Sequence, residues 1–517
     1  MPSIPVLSPA ESDAWDAQAE RAGITRDTLM DAAGRAAAAV VARRFTIALD
    51  GGVVVAAGLG NNGGDGWVLA RALHQADVSV WVASPPGARA PLCETARSRA
   101  LAQGVREIPP DGPWPSPGLA VDALLGTGAR GAPRPAVESL TERLRDLRVP
   151  LVALDGPTGL DLATGVVHGV PRADVSVTFG GVRRGHLLAR DESGEIIVVD
   201  IGHPPADRSV PRLVTDAWAS RHAPRLQSGD HKATRGRVVV LGGAPGMSGA
   251  LRLAARAALA AGAGYVHAVA PAGSIAELRA AEPDVLTLAQ AFDAAPTTEL
   301  LDLVRRADCV IAGPGLGREE GRADLLAAVL REAARLVIDA DAITVFQGSP
   351  ERLGALVDGR PAVVTPHPGE FRALFPDLAA GRELDPWAAA AAASGRLGAA
   401  LLLKGVPSVI AVDGAARWTV AAGNPGLGTG GSGDVLSGIM GTLLAQETDA
   451  GHAAALAAQA LGVAGDIGAR RVSARSLRPM DVIAALPDVW RLWSGSRSRV
   501  AGRAVPIIAH LPAPQTV

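Results

Sequence analysis

The sequence predicts an α/β protein built from two doubly wound domains in series. Three observations carry this: short apolar runs that end in small or acidic residues, helix-forming stretches between them, and glycine-rich loops where the runs end. Each run has the length of a strand buried on both faces of a parallel sheet. A chain of 517 residues is also longer than one core of ordinary size.

Taken in order, Ser8-Pro9-Ala10-Glu11 has the form of a capping box with Pro at the first helical position, which predicts a helix ending near Arg21. A second helix is expected over residues 28–45. Strands follow at Val53–Ala57, 119–121 and Leu151–Leu154, separated by helices at 67–75 and 137–147. This first domain covers 1–210, and a linker rich in Pro and Arg is expected at 211–226. The second domain, 227–495, repeats the alternation with strands at 238–241, Tyr265–Ala270, Cys309–Ala312, 336–339, 362–365 and 401–403 before a long Ala-rich helical region. Residues 496–517, rich in Ser, Arg and Pro, are expected as a flexible tail. The apolar stretch 257–276 contains Gly262, Gly264, His267, Pro271 and Gly273, so it reads as a core helix and a buried strand and not as a membrane span.

Composition narrows the partners. Lys plus Arg total 50 against 52 Asp plus Glu, and the net charge of -2 gives no broad field for nucleic acid or an anionic membrane. Phosphate binding must therefore come from local geometry. Cys93 and Cys309 lie far apart without Cys or His companions, which suggests neither a disulfide framework nor a zinc site. The start carries Glu11, Asp13, Asp16 and Glu20 and no basic-then-apolar pattern, so a signal peptide is not expected and the expected compartment is the reducing cytoplasm.

The loop Gly58-Leu59-Gly60-Asn61-Asn62-Gly63-Gly64-Asp65-Gly66 follows a strand and precedes the helix expected from Trp67. Glycines let backbone amides approach an anion, and the positive end of the helix favours negative charge. The spacing is neither G-x-G-x-x-G nor a P-loop with its lysine. Two more strand ends bring carboxylates: Asp122 in Val121-Asp122-Ala123-Leu124-Leu125-Gly126-Thr127-Gly128, and Asp155 in Asp155-Gly156-Pro157-Thr158-Gly159-Leu160-Asp161. Singly, either Asp reads equally well as a turn former. Together the three segments can converge beyond the carboxyl ends of parallel strands, where Asn62, Asp122 and Thr158 offer hard oxygens to a cation and Asp155 an acid or base.

These segments, with Leu29-Met30-Asp31-Ala32-Ala33-Gly34 upstream, resemble the NAD(P)H-hydrate epimerase family over nearly all of the first domain. The resemblance implies that Asn61, Asn62, Gly63, Gly64, Asp65, the run Gly126-Thr127-Gly128-Ala129-Arg130-Gly131-Ala132 and Asp155 contact a hydrated nicotinamide nucleotide. It makes Asp155 catalytic and gives a potassium ion to Asn62, Asp122 and Thr158. The family usually has Ser at Thr158, which keeps the hydroxyl, and a bulkier apolar residue at Gly156, whose absence is expected to make the loop around Asp155 more mobile.

In the second domain, Asn424-Pro425-Gly426-Leu427-Gly428-Thr429-Gly430-Gly431-Ser432-Gly433-Asp434 leads into a helix with Val435, Leu436, Ile439, Met440, Leu443 and Leu444 at helical spacing. The amides of Gly430, Gly431, Ser432 and Gly433 make an anion hole with Asp434 at its edge. Gly313-Pro314-Gly315-Leu316-Gly317, Thr365-Pro366-His367-Pro368-Gly369-Glu370 and Lys404-Gly405-Val406-Pro407-Ser408 place further polar groups at strand ends. Alone, His367 reads as a loop cap and Lys404 as a surface charge.

Together these motifs resemble the ribokinase-like superfamily, and within it the ADP- or ATP-dependent NAD(P)H-hydrate dehydratases, over about residues 227–486. The fold implied is a Rossmann-like doubly wound domain followed by a ribokinase-like α/β domain. The resemblance implies contacts from Ala250, Gly317, His367 and Asp434 to the hydrated nucleotide, and from Lys404, Gly405, Val406, Pro407, Ser408 and Gly433 to the adenine nucleotide. Asp434 would be catalytic. Ala233 and Ser408 depart from the usual Gly and Thr without removing a charged group.

The expected activity is repair: epimers of hydrated NADH and NADPH are interconverted, and the S epimer is dehydrated with ADP, giving AMP and phosphate with magnesium present. Homo-oligomers are expected by resemblance. Two other readings compete: a ribokinase-like kinase acting on a small alcohol, and a non-catalytic first domain that senses nucleotide.

Overall fold

The computed structural model describes residues 3–169, 172–357, 359–380, 384–446, 448–495 and 506–515. They form two compact units divided between Leu213 and Val214, with 506–514 returning to the first. That division falls inside the segment 211–226 expected as a linker, and part of the segment is helical. Thr215 caps a helix, Asp216–His222, by accepting the Trp218 N–H at 3.2 Å, and Ala219 and Ser220 in it are buried.

The first unit carries an 8-stranded sheet in the order Ile507–Leu511, Glu195–Val199, Val175–Phe179, Leu151–Leu154, Leu119–Ala123, Val53–Ala57, Val80–Ala83, Arg106–Ile108. All neighbours are parallel except the first pair. Ile507–Leu511 therefore corrects the flexible tail expected at 496–517: within it, Ala509 and Leu511 are buried while His510 reaches Glu195 at 2.6 Å, the period-two alternation of an edge strand. Residues 496–505 lie outside the described residues.

The expected capping box exists: Ser8 Oγ accepts the Glu11 N–H at 3.3 Å and the Glu11 carboxylate accepts the Ser8 N–H at 2.6 Å. The next helix is Arg26–Arg44, capped by Thr25. Strand order reverses between Val53–Ala57 and Leu119–Ala123, so the crevice of this sheet opens at their carboxyl ends.

The second unit orders its strands Ala415–Val420, Ser408–Val412, Ala400–Leu403, Ala362–Val364, Leu336–Ile338, Cys309–Ala312, Arg237–Leu241, Tyr265–Ala270, Leu286–Ala289, and only the pairings of Ser408–Val412 are antiparallel. Its reversal falls between Cys309–Ala312 and Arg237–Leu241, which aims Gly242–Gly249 and Gly313–Gly317 at one crevice. Helix Ser432–Ala445 packs on helix Ser248–Ala260 so closely that a Cβ on Gly438 would stand 2.2 Å from the Ala254 carbonyl oxygen. The stretch 257–276 runs from that second helix through strand Tyr265–Ala270 into helix Ala272–Ala281, and among the described residues no helix is long and apolar enough to cross a membrane.

Candidate active sites

The helix expected from Trp67 begins at Asn61, so Asn61 to Asp65 form its first turn and not a loop. Packing explains the difference. A Cβ on Gly63 would lie 2.0 Å from the Gly58 carbonyl oxygen, and one on Gly58 would lie 1.9 Å from that of Leu124, so only glycines let this turn close onto the sheet. The buried Trp67 then anchors the helix.

Asp155 follows strand Leu151–Leu154 with φ +60°, a left-handed conformation. Its Oδ2 accepts the Thr127 N–H at 2.7 Å and the Thr127 hydroxyl at 2.5 Å. The same hydroxyl accepts the Arg183 Nε–H at 3.0 Å, and Arg183 Nη2 stands 3.3 Å from Asp155 Oδ1. Burial pushes the Asp155 carboxyl up, but the Arg183 guanidinium and the Thr127 hydrogen bonds outweigh it and hold it below the usual range. Asp65 goes the other way, because burial and then the charges of Asp155 and Asp16 raise it well above that range.

A cavity of about 660 Å³ joins Asn61, Asn62, Asp65, residues 126–132, Asp155 and Arg183. Gly63 and Gly64 do not line it. They pack behind it, against Gly58 and Met30. Gly156 is buried, and a Cβ there would meet Leu162 Cδ2 at 2.8 Å and His186 Nε2 at 2.9 Å, so those two side chains fill the volume that a bulkier residue would occupy. Arg183 was missed in the sequence because the strand before it, Val175–Phe179, was not recognised.

Behind the cavity, Asn62 Nδ2 donates to the carbonyls of Leu125 at 2.9 Å and Leu154 at 3.2 Å, which fixes Oδ1 in the interior without a hydrogen-bond partner. Asp122 accepts the Thr158 hydroxyl and N–H, each at 2.7 Å, and the Leu124 N–H at 3.1 Å. Burial still raises the Asp122 carboxyl above its usual range against those bonds, and no cationic side chain pairs with it among the described residues. An orphaned amide oxygen, a carboxylate and a hydroxyl form an all-oxygen donor set that fits a hard cation such as potassium.

In the second unit the αL residue Gly431 precedes helix Ser432–Ala445, which places Ser432, Gly433 and Asp434 in its first turn. Below that turn lies a network centred on Asp339. Asp339 Oδ1 accepts Lys404 Nζ at 2.8 Å and the Thr365 hydroxyl at 2.7 Å, and its Oδ2 accepts the Ser437 hydroxyl at 2.7 Å. Glu370 stands 3.5 Å from the same ammonium. A signal existed, since strand 336–338 ends in Asp339 just as two strands of the first unit end in Asp122 and Asp155.

Asp434 faces this network. Burial, and next the charge of Asp339, push its carboxyl up to about 7 although Lys404 opposes them. Such a group is a base near neutral pH. His367 caps helix Pro368–Leu374 by accepting the Gly369 N–H at Nδ1, 2.9 Å, so one nitrogen is structural and the ring remains half exposed. Gly317 donates its N–H to Asp341 at 3.0 Å, and Gly315 packs toward Ala250. Gly405 and Val406 are exposed, and the Ser408 hydroxyl closes the turn by donating to the Gly405 carbonyl at 3.1 Å.

Two α/β units, each with a carboxylate beside a glycine-lined helix N-terminus, define a two-unit α/β protein with one candidate active site in each unit. Residues 26–185 match the YjeF-related protein N-terminus family, and residues 238–488 match the NAD(P)H-hydrate dehydratase family. The bifunctional NAD(P)H-hydrate repair enzyme of Escherichia coli is 34% identical over 481 residues, covering 90% of each chain. That of Salinibacter ruber is 35% identical over 546 residues, covering 96% of this chain and 98% of its own. The chain belongs to the family of bifunctional NAD(P)H-hydrate repair enzymes. Among solved structures, a ribokinase-like superfamily protein from Enterococcus faecalis aligns with a TM-score of 0.48 at 27% identity, over 55% of this chain and 96% of that one.

Proposed function

We propose that the first unit interconverts the epimers of hydrated NADH and NADPH, and that the second dehydrates the S epimer with ADP to give AMP and phosphate. The observation that carries this reading is geometric: Asp155, paired with Arg183 at 3.3 Å, shares one cavity with Asp65, and in the other unit Asp434 lies in the first turn of a glycine-preceded helix above the Asp339–Lys404 pair. The directions in which burial and neighbouring charges push these carboxyls agree with it.

In the first site the hydroxyl at C6 of the hydrated ring, next to nitrogen, leaves and returns on either face. Asp65 in its protonated form gives the proton to the departing hydroxyl, which leaves as water, Asp155 takes one from the returning water, and exchange with solvent then returns a proton to Asp65 and removes the one on Asp155. Arg183 and Thr127 keep Asp155 ionised between turnovers. Potassium held by Asn62, Asp122 and Thr158 would supply a fixed positive charge behind the substrate.

In the second site Asp434 takes the proton of the C6 hydroxyl as its oxygen attacks the terminal phosphoryl of ADP, and AMP leaves. The amides of residues 430–433 and the Lys404 ammonium offset charge on the transferring phosphoryl. Ring nitrogen then expels phosphate, a proton leaves C5, and the dihydropyridine is restored. Residues 404–408 would hold the nucleotide, and magnesium would arrive on its phosphates. Recovery of the reduced-nicotinamide absorbance from a mixture of both epimers, with ADP, ATP or neither, tests the reading. Full recovery with one nucleotide supports both activities, recovery of one epimer's share leaves only the dehydratase, and no recovery favours a small-alcohol kinase.

A further inference from the structure

His186 lies in the short helix Arg184–Leu188, is fully buried, and is used by no step of the reaction above. Its Nδ1 accepts the backbone N–H of Arg183 at 3.2 Å, so the neutral ring carries its proton on Nε2. That Nε2 faces the backbone of Asp155 and lies against Gly156, where a Cβ would approach it to 2.9 Å. One imidazole thus touches both halves of the catalytic ion pair. It fixes the backbone from which the Arg183 guanidinium reaches Asp155, and it fills the volume that the missing side chain of Gly156 leaves behind Asp155.

We infer that His186 is a positioning residue of the first site, size-matched to Gly156, and that the two residues together set how Arg183 and Asp155 meet. The inference rests on the epimerase reading of that site. Burial, with Arg183 and Arg190 adding to it, outweighs Asp155 and keeps the ring neutral, which agrees with a role in hydrogen bonding and packing and not in proton transfer. A shift of the guanidinium by a fraction of an ångström changes the orientation of the reacting carboxylate, to which rates are steeply sensitive.

The test uses the full chain and measures kcat and KM for epimer exchange, with ADP-dependent dehydration of the S epimer and the thermal midpoint as internal controls. His186→Leu is expected to lower kcat for exchange by about tenfold with KM and dehydration unchanged. His186→Asn keeps an acceptor for the Arg183 N–H and is expected to restore most of that loss. Gly156→Ala in the wild-type background is expected to lower kcat, and in the His186→Asn background, where the side chain is smaller, to cost much less. Wild-type exchange with an unaffected His186→Leu, or equal losses from Gly156→Ala in both backgrounds, overturns the inference. If the wild-type chain dehydrates the S epimer but exchanges no epimers, the reading of the site falls, and this role falls with it.

Discussion

Lys404 Nζ stands 2.8 Å from Asp339 Oδ1, and both lie under the turn at Gly433, where a Cβ would be 3.6 Å from the ammonium. Asp339 is nearly inaccessible and the ammonium largely so. Burial lowers the proton affinity of Lys404, but the charges of Asp339 and Glu370 more than restore it, so the cation beneath the Gly433 turn is permanent.

Asp339→Asn removes the closer of the two charges that hold Lys404. It is expected to cost about 3 kcal/mol of stability in the second unit, as for a broken buried pair, and to slow dehydration while leaving epimer exchange intact. Denaturant unfolding and separate assays of the two half-reactions check this. An unchanged dehydration rate would show that Lys404 finds its position without Asp339.

Asp434 links pH to both rate and stability. Its carboxyl titrates at about 7 in the fold against an ordinary 3.8, so its basic form is scarce in acid and dehydration should rise as pH passes through about 7. Because folding favours the protonated form, its contribution to stability is complete below about pH 4 and declines as pH rises through the folded value. Asp434→Asn should therefore abolish dehydration yet raise Tm by a few degrees at pH 8, with no gain in strong acid. In Asp339→Asn the remaining dehydration should show its acid limb at lower pH, because the largest repulsive charge is gone.

The oxygen cluster predicts a salt effect. With Asn62 Oδ1 unpartnered and Asp122 lacking a cationic neighbour, epimer exchange should require potassium and fall when it is replaced by a bulky organic cation at equal ionic strength. Asn62→Ala and Thr158→Val should remove that dependence together with the activity, whereas Thr158→Ser keeps the hydroxyl and should retain both. Exchange that ignores the cation in the wild-type chain would remove potassium from the site.

Much of this was legible in the sequence, for a physical reason. Parallel sheets put their chemistry at strand ends, so Asp122, Asp155, Gly313 and Lys404 announce themselves by following apolar runs. The first turn at Asn61 to Asp65 was not legible as helix, since glycine is a poor helix former and only the close approach of Gly63 to Gly58 compensates. Arg183 was hidden because the strand before it, Val175–Phe179, carries no motif, and Ile507–Leu511 because its partner, Glu195–Val199, lies far away in sequence. Asp339 follows strand Leu336–Ile338 as Asp155 follows Leu151–Leu154, but no glycine motif surrounds it to mark it in the sequence.

Asp155 itself allows charge and backbone to be separated. Its φ of +60° is one that Asn adopts with little strain and Ala does not. Asp155→Asn should keep the fold and the substrate cavity, remove the ion pair with Arg183, and abolish epimer exchange while the second unit still dehydrates the S epimer. Asp155→Ala should add a backbone cost of about 1 kcal/mol, visible as a lower unfolding midpoint than that of Asp155→Asn, with no further loss of an activity already absent. Binding of hydrated nucleotide to the Asn variant, measured calorimetrically, then separates catalysis from sensing. Retained binding without exchange marks Asp155 as the group that moves protons, whereas exchange at the wild-type rate would make the first unit's carboxylate a structural anchor and leave its catalyst elsewhere in the cavity.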